Sequence, residues 1–335
     1  MPARPELDDT ALMEHDTLSD VLRTVRLRSA FFFHVACTGK WAAEAPPSRE
    51  IARAIMPGTE HVMEYHVVTH GECWAAIVGE PPLRLATGDL VMLPHGDAHV
   101  VSSAPGMRAP MPPEALEMLK SAPRPFRMTY GAPSGKPATT LVCGFIGCDL
   151  RPFNPLIATL PRLLHLPASG GSTISEQFMR LAVQETAAAR PGSEALLERM
   201  SEMMFVDAVC RHVEMLPKES TGWLAGLRDR HVGRALALLH ESPAKDWTLE
   251  ELGSQAGLSR SALHERFVAL VGQPPMQYLA QWRMQLASRL LRESQASVVS
   301  VALAVGYESE AAFSRAFKRL VGESPSVWRR ATAQA

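Results

Sequence analysis

Thr248-Leu249-Glu250-Glu251-Leu252-Gly253-Ser254-Gln255-Ala256-Gly257-Leu258-Ser259 is echoed further along the chain by Ser297-Val298-Val299-Ser300-Val301-Ala302-Leu303-Ala304-Val305-Gly306-Tyr307-Glu308-Ser309. At an offset of 49 residues Leu249, Leu252, Ala256 and Gly257 meet Val298, Val301, Val305 and Gly306. At 50 residues Leu263, Phe267, Gly272 and Pro275 meet Phe313, Phe317, Gly322 and Pro325. A repeat of this kind is one supersecondary unit made twice. In each copy apolar residues at i, i+3 and i+7 make a short amphipathic helix, and a glycine able to take positive φ closes it. A serine, Ser259 or Ser309, stands where a second helix needs its N-cap, and that helix runs to Val271 or Val321 before another glycine ends it. Each copy is therefore expected to be a helix-turn-helix.

The second helix of such a unit enters the major groove of DNA and presents its N-terminal side chains to base edges. Phe267 and Phe317 belong to the buried faces. The candidate DNA-contacting residues are accordingly Arg260, Ser261, His264 and Arg266 in the first copy, and Ser309, Glu310, Ser314, Arg315 and Lys318 in the second. Between the copies, Pro275 to Glu293 reads as a helix with proline at its start and Leu279, Trp282, Leu286, Leu290 and Leu291 along one side. At 1.5 Å per residue it spans roughly 27 Å, close to the ~34 Å turn of B-DNA, so it is expected to hold two reading helices in successive major grooves.

From about Leu236 to Arg330 the chain resembles the AraC/XylS family of transcription activators. The resemblance is carried by Gly257-Leu258-Ser259 with Leu263 and Phe267, the segment from Arg283 to Leu291, Val301-Ala302 with Val305-Gly306-Tyr307, Phe313-Ser314-Arg315-Ala316-Phe317-Lys318, and Gly322 with Pro325 and Trp328. It implies sequence-specific binding to double-stranded promoter or operator DNA, with RNA polymerase as a further partner. Two positions depart from the family pattern. Gly253 replaces the usual alanine and should slightly weaken its helix, and Glu265 replaces an arginine and removes one backbone contact of the first unit.

Upstream, residues 59–103 read as short strands, with Gly71, Gly79, Gly88 and Gly96 as punctuation and Leu83, Leu85 and Leu90-Val91-Met92-Leu93 as strand-like stretches. A Pro-rich stretch from Ala104 to Pro125, with one short helix around Glu114 to Lys120, separates them from a further strand over Thr139 to Cys148. His66-Val67-Val68-Thr69-His70-Gly71-Glu72-Cys73-Trp74, Gly88-Asp89-Leu90-Val91-Met92-Leu93-Pro94 and Asp97-Ala98-His99 resemble a cupin, as found in sensor domains fused to AraC-type DNA-binding domains. Where metal-binding cupins carry an H-x-H pair and a carboxylate, this chain has Pro57-Gly58-Thr59 and Met63-Glu64, and only His99 matches a usual ligand.

His66, His70, Cys73, His95, His99, Cys143 and Cys148 nevertheless form a candidate metal or redox site, with ligand types suited to zinc or copper. Buried small thiols and hydrogen-bonded histidines are the structural alternative. His66 and His70 share a face if their strand is unbroken, whereas Cys143 and Cys148, five apart, point to opposite sides.

Beyond Phe153 the period turns helical over residues 156–166, 175–189 and 193–216. The last segment carries a broad apolar, methionine-rich face through Leu196, Leu197, Met200, Met203, Met204 and Val209, which points to homodimerisation or to cover for the barrel. The expected chain is α+β: a cupin-like sensor domain over 1–150, a helical dimerisation or linker region over 151–216, and an all-α domain with two helix-turn-helix units over 223–332.

Composition agrees with this division. The net charge of −1 hides +4 from Arg230 to Ala335 against −5 for the remainder, a modest basic bias where phosphate contacts are expected. No apolar run approaches the roughly 20 residues of a membrane span, and the acidic start lacks the marks of a secretory signal, so a cytoplasmic protein is expected. The five cysteines are odd in number and widely spaced, which reads as thiols. No P-loop, dinucleotide fingerprint, G-x-S-x-G elbow or H-E-x-x-H helix is present. The expected function is a DNA-binding transcription regulator whose barrel senses a small molecule, metal or oxidant. The alternative is a metal-dependent cupin enzyme fused to a DNA-binding module.

Overall fold

A computed structural model describes residues 15–25, 27–112, 114, 126–132, 135–169, 174–188 and 190–333. The expected short helix at Glu114 to Lys120 falls almost wholly outside these residues. The chain divides into two compact units. One runs from Val25 to Leu150 and from Ile157 to Met215; the other collects Thr17–Thr24, Arg151–Leu156 and Leu216 onward.

The first unit is a two-sheet barrel. A six-stranded sheet has the order β10-β6-β3-β9-β1-β8, built from β1 (Arg28–Thr38), β3 (His61–His70), β6 (Leu90–Leu93), β8 (Phe126–Gly131), β9 (Thr139–Cys148) and β10 (Leu164–Leu166). A four-stranded sheet has the order β2-β7-β4-β5, from β2 (Ala42–Ala45), β4 (Glu72–Ile77), β5 (Leu83–Ala86) and β7 (His99–Ser102). Every pairing is antiparallel except β1 with β8. Val35, Cys37, Val68, Cys73, Leu85, Val101, Leu141 and Cys143 interlock in one buried cluster. β3 and β9 are almost wholly buried along their length, as continuous apolar strands covered on both faces should be.

Helices α4 (Ile174–Ala188) and α5 (Ser193–Met215) belong to this unit. The apolar surface of α5 is split: Leu197, Met204, Phe205, Ala208 and Val209 are buried, while Leu196, Met203 and Met215 are exposed. Tyr65 on β3 hydrogen-bonds Ser201 on α5 at 2.8 Å, fixing the helix to the sheet. The expected boundaries shift as a result. These helices group with the barrel, and α1 (Thr17–Thr24) groups with the helical unit.

In the helical unit, α8 (Leu249–Gln255) and α9 (Arg260–Val271) form the first repeat, and α11 (Val298–Ala304) and α12 (Glu310–Val321) the second. All four N-caps are the hydroxyl residues the sequence offers: Thr248, Ser259, Ser297 and Ser309 each accept a hydrogen bond from the backbone N–H three residues on. Gly257 and Gly306 hold φ of +76° and +85° in the two turns, a conformation other residues enter only under strain.

Helix α10 (Pro275–Glu293) serves both repeats. Near its start Tyr278 meets Phe267 of α9 edge-on at 5.9 Å. Further along, Met284, Ala287 and Leu291 join Val301, Ala302, Val305, Phe313, Phe317 and Trp328 in the second core. Before the repeats lie α6 (Trp223–Arg228) and α7 (Arg230–Glu241). His240 of α7 stacks on Trp282, with its Nε2 2.7 Å from the Tyr278 hydroxyl, which also accepts from Trp223 Nε1 at 2.9 Å.

Candidate DNA interface and candidate effector pocket

On α9, Leu263 and Phe267 are fully buried, which turns Arg260, Ser261 and His264 outward; all three are exposed. On α12, burial of Phe313, Ala316 and Phe317 leaves Glu310, Arg315 and Lys318 exposed and Ser314 half-buried. All but Lys318, which stands in the last turn of α12, rise from the N-terminal halves of their helices, whose ends offer backbone N–H groups and the positive end of the helix dipole to phosphate. The Ser309 hydroxyl accepts from Ala312 N as the N-cap of α12.

Arg266 does not fit the expected role. Its guanidinium grips the Asp229 carboxylate through Nε and Nη2, and Asp229 also accepts from His231 N and Val232 N as the N-cap of α7. Its fork is therefore used in bracing α9 against α7 rather than held out for DNA. The Arg266 charge, with those two backbone bonds, holds the Asp229 carboxyl below the usual range.

The barrel contains an apolar cavity of about 70 Å³ that is partly open to solvent. Phe33, Trp41, Met128, Tyr130 and Phe145 supply much of its wall. Glu64 and His66 from β3, His99 from β7 and Cys143 from β9 converge at its lining, which also includes Glu44 of β2. Alternation along β3 points residues 64 and 66 the same way, and the pairing of His66 with Cys143 brings β9 alongside.

The hydrogen bonds among them assign their protons. His99 Nδ1 lies 3.0 Å from the Asp97 carbonyl and must donate to it, which leaves His99 Nε2 as an acceptor. His66 Nε2, 2.7 Å away, is then the donor. His66 Nδ1 in turn accepts from the Cys143 thiol at 3.0 Å. Burial holds this chain uncharged: it pushes the His99 imidazole down to about 4, His66 well below its ordinary value, and the Cys143 thiol well up. The Glu64 carboxyl is pushed up to about 8 by the same desolvation. The 3.5 Å approach of Glu64 Oε2 to His99 Nε2 is thus a contact of neutral groups, and Glu64 Oε1 is buried with no hydrogen-bond partner.

Of the seven expected metal or redox residues, the structure brings together His66, His99 and Cys143. Cys73 sits in the adjoining apolar cluster with Cys37, where desolvation pushes both thiols up to about 12. A buried thiol so held is protonated and shielded, whereas a reactive thiol is an exposed thiolate. His70 is exposed beyond a register shift at Val68/His70 in the pairing of β3 with β9, so it does not join buried His66 at the cavity. His95 is exposed and donates to the Leu160 carbonyl at 2.9 Å. Cys148 has the opposite parity to Cys143 on β9 and lies outside the cavity lining. Glu64 was missed. Its i, i+2 relation to His66 on a strand was the available signal.

Comparison with known proteins agrees with both halves. A cupin family profile matches residues 16–214 and a helix-turn-helix domain profile matches residues 252–331. A putative AraC-like transcription regulator of Streptomyces lividans is 32% identical over 324 residues, covering 94% of this chain and 98% of its own length. The HTH-type transcriptional regulator AlkR of Acinetobacter baylyi is 28% identical over 319 residues, covering 94% of this chain and 99% of its own. The DNA-binding domain of AdpA, solved in complex with a target DNA, is 34% identical over 31% of this chain and 92% of that one, with a TM-score of 0.30. Relatives named as transcription regulators along nearly their whole length set aside the rival reading of a cupin enzyme. Among the described residues no helix is long and apolar enough to cross a membrane. The chain belongs to the AraC-type transcription regulators, with a cupin domain ahead of a DNA-binding domain of two helix-turn-helix units.

Proposed function

We propose that this regulator receives its signal in the barrel cavity and answers by changing its affinity for operator DNA. The observation that carries the reading is the cavity itself: an apolar, aromatic enclosure with a small group of convergent polar atoms, the usual make-up of a small-ligand site. It lies in the same chain as two capped reading units with outward-facing Arg260, His264, Arg315 and Lys318. The exposed Leu196, Met203 and Met215 on α5 support a homodimer formed through that helix, and RNA polymerase is the further partner of a promoter-bound regulator.

The test begins by selecting the operator from genomic fragments with the purified full-length chain. Operator affinity is then measured against a panel of small apolar compounds and divalent ions for wild type and for Ala43→Phe, which fills the cavity from its wall. At least one addition should shift wild-type affinity by about tenfold and leave Ala43→Phe unmoved. A filled-cavity variant that responds like wild type would place the input elsewhere.

A further inference from the structure

We propose that Arg283 is a positioning residue for DNA reading, which fixes the separation of α9 and α12 by tying the loop ahead of α8 to the turn of the second repeat. The proposal concerns the reading of DNA alone and stands whether or not the barrel cavity receives a signal. Arg283 stands near the middle of α10, with Tyr278 before it in contact with α9 and Met284, Ala287 and Leu291 after it in the second core. Two lobes that share one helix can still rock about it, since relative motion is the default where no broad interface forbids it. A second connection at a distance from the helix axis removes that freedom.

The loop from Ser242 to Trp247 supplies it. Arg283 Nε donates to the Pro243 carbonyl at 2.7 Å, and Nη2 donates to the Lys245 carbonyl at 2.8 Å. Between those two acceptors lies Ala244, whose carbonyl oxygen comes so near Gly306 that a Cβ there would fall 2.5 Å from it. The loop is itself braced. The Lys245 carbonyl also accepts from Trp247 N at 2.9 Å, and buried Trp247 donates from Nε1 to the Ser242 carbonyl at 3.0 Å. Thr248, the N-cap of α8, follows directly.

On its other side the Arg283 guanidinium lies 5.8 Å from the centre of the Tyr307 ring, and Tyr307 meets buried Phe313 of α12 edge-on at 5.6 Å. Contacts therefore run unbroken from the start of α8, through Arg283, to the first turn of α12. A planar guanidinium reaches two carbonyls in fixed directions, which one ammonium on a flexible stem does not. With α10 as one side and this bridge as the other, the two reading helices sit in a closed frame. A rigid frame accepts one spacing. One base pair added between the sequences it reads moves the second by about 3.4 Å and about a tenth of a turn.

The experiment uses the full-length chain and the operator selected as above. A base-substitution scan locates the two groups of bases read by one subunit, and a second duplex carries one extra base pair between them. The readout is the ratio of the two affinities. Wild type should favour the native duplex by about a hundredfold or more, the effect of one or two mismatched base pairs. Arg283→Ala should narrow that ratio at least about tenfold, and Arg283→Lys, which keeps the charge and loses the fork, should fall between. Arg289→Ala, at an exposed arginine of the same helix paired with Glu293, should keep the wild-type ratio. A role in stability alone lowers the folded fraction, weakens both duplexes by one factor and cancels in the ratio. Circular dichroism reports folding, and if Arg283→Ala is unfolded the ratio in Arg283→Lys decides. A wild type that binds both duplexes equally, or an unchanged ratio in the folded Arg283 variants, overturns the proposal.

Discussion

Gly257 and Gly306 occupy the same place in the two repeats, yet replacing each by alanine should have unequal effects. Both have positive φ, and an alanine forced there costs about 1–2 kcal/mol from the left-handed conformation alone. At Gly257 the added Cβ would find only the His231 ring, at 3.4 Å, an ordinary contact. At Gly306 it would lie 2.5 Å from the Ala244 carbonyl oxygen and 2.7 Å from Ala244 Cα. Neither atom belongs to a flexible side chain, so the backbone of the loop ahead of α8 or the turn itself must shift. The combined effect of conformation and overlap is about 3–5 kcal/mol. Because Ala244 leads into the first repeat and Gly306 lies in the second, the shift also alters the spacing of α9 and α12. Hydrogen exchange read by mass spectrometry should show protection of the 298–321 peptides falling at least about a hundredfold in Gly306→Ala. In Gly257→Ala the 249–271 peptides should lose only about 5- to 30-fold. Operator affinity should suffer in the first and be nearly kept in the second. Equal losses in the two variants, or a greater loss in Gly257→Ala, would refute the backbone-contact argument.

Three further expectations concern charge and thiols. Arg315→Ala should weaken operator binding by about 1–3 kcal/mol if a base edge is read, or lower the salt slope if only phosphate is. Arg266→Ala should leave the operator sequence preference intact and act on stability instead. Asp229 is held below its ordinary value, so the stability it contributes is full above the unfolded carboxyl range and is lost as pH falls through its lowered folded value; removing Arg266 should move that acid limb to higher pH in a denaturation series. Iodoacetamide on the native chain should label exposed Cys210 first and leave Cys37, Cys73, Cys143 and Cys148 until unfolding; rapid native labelling of Cys143 would contradict its burial.

Where function depends on local chemistry the chain was easy to read. A hydroxyl N-cap, an apolar i, i+3, i+7 pattern and a turn glycine act within a dozen residues, so both repeats and the span of α10 are legible in the sequence. Arg266 shows the limit. Its helix position suited DNA, but its partner Asp229 lies 37 residues earlier, a pairing that only tertiary packing creates. The barrel was harder for the same reason. β1 is a nearly continuous apolar run without alternation, and its two neighbours, β8 and β9, come from far along the sequence. The cavity cluster takes residues from three strands, and nothing local in the sequence shows that Glu64 on β3 meets His99 of β7, 35 residues further on.

The two reading helices differ in what they offer the groove. The first presents Arg260, Ser261 and His264, while the second opens with an acidic Glu310 and follows it with Ser314, Arg315 and Lys318. A two-fold dimer of identical readers fits a palindrome and looks the same from either end. One chain carrying unlike readers in fixed order cannot be turned around on its site without exchanging which helix meets which sequence. A single subunit therefore has a heading on the duplex, and the placement of such a site relative to a promoter matters in orientation as well as in distance.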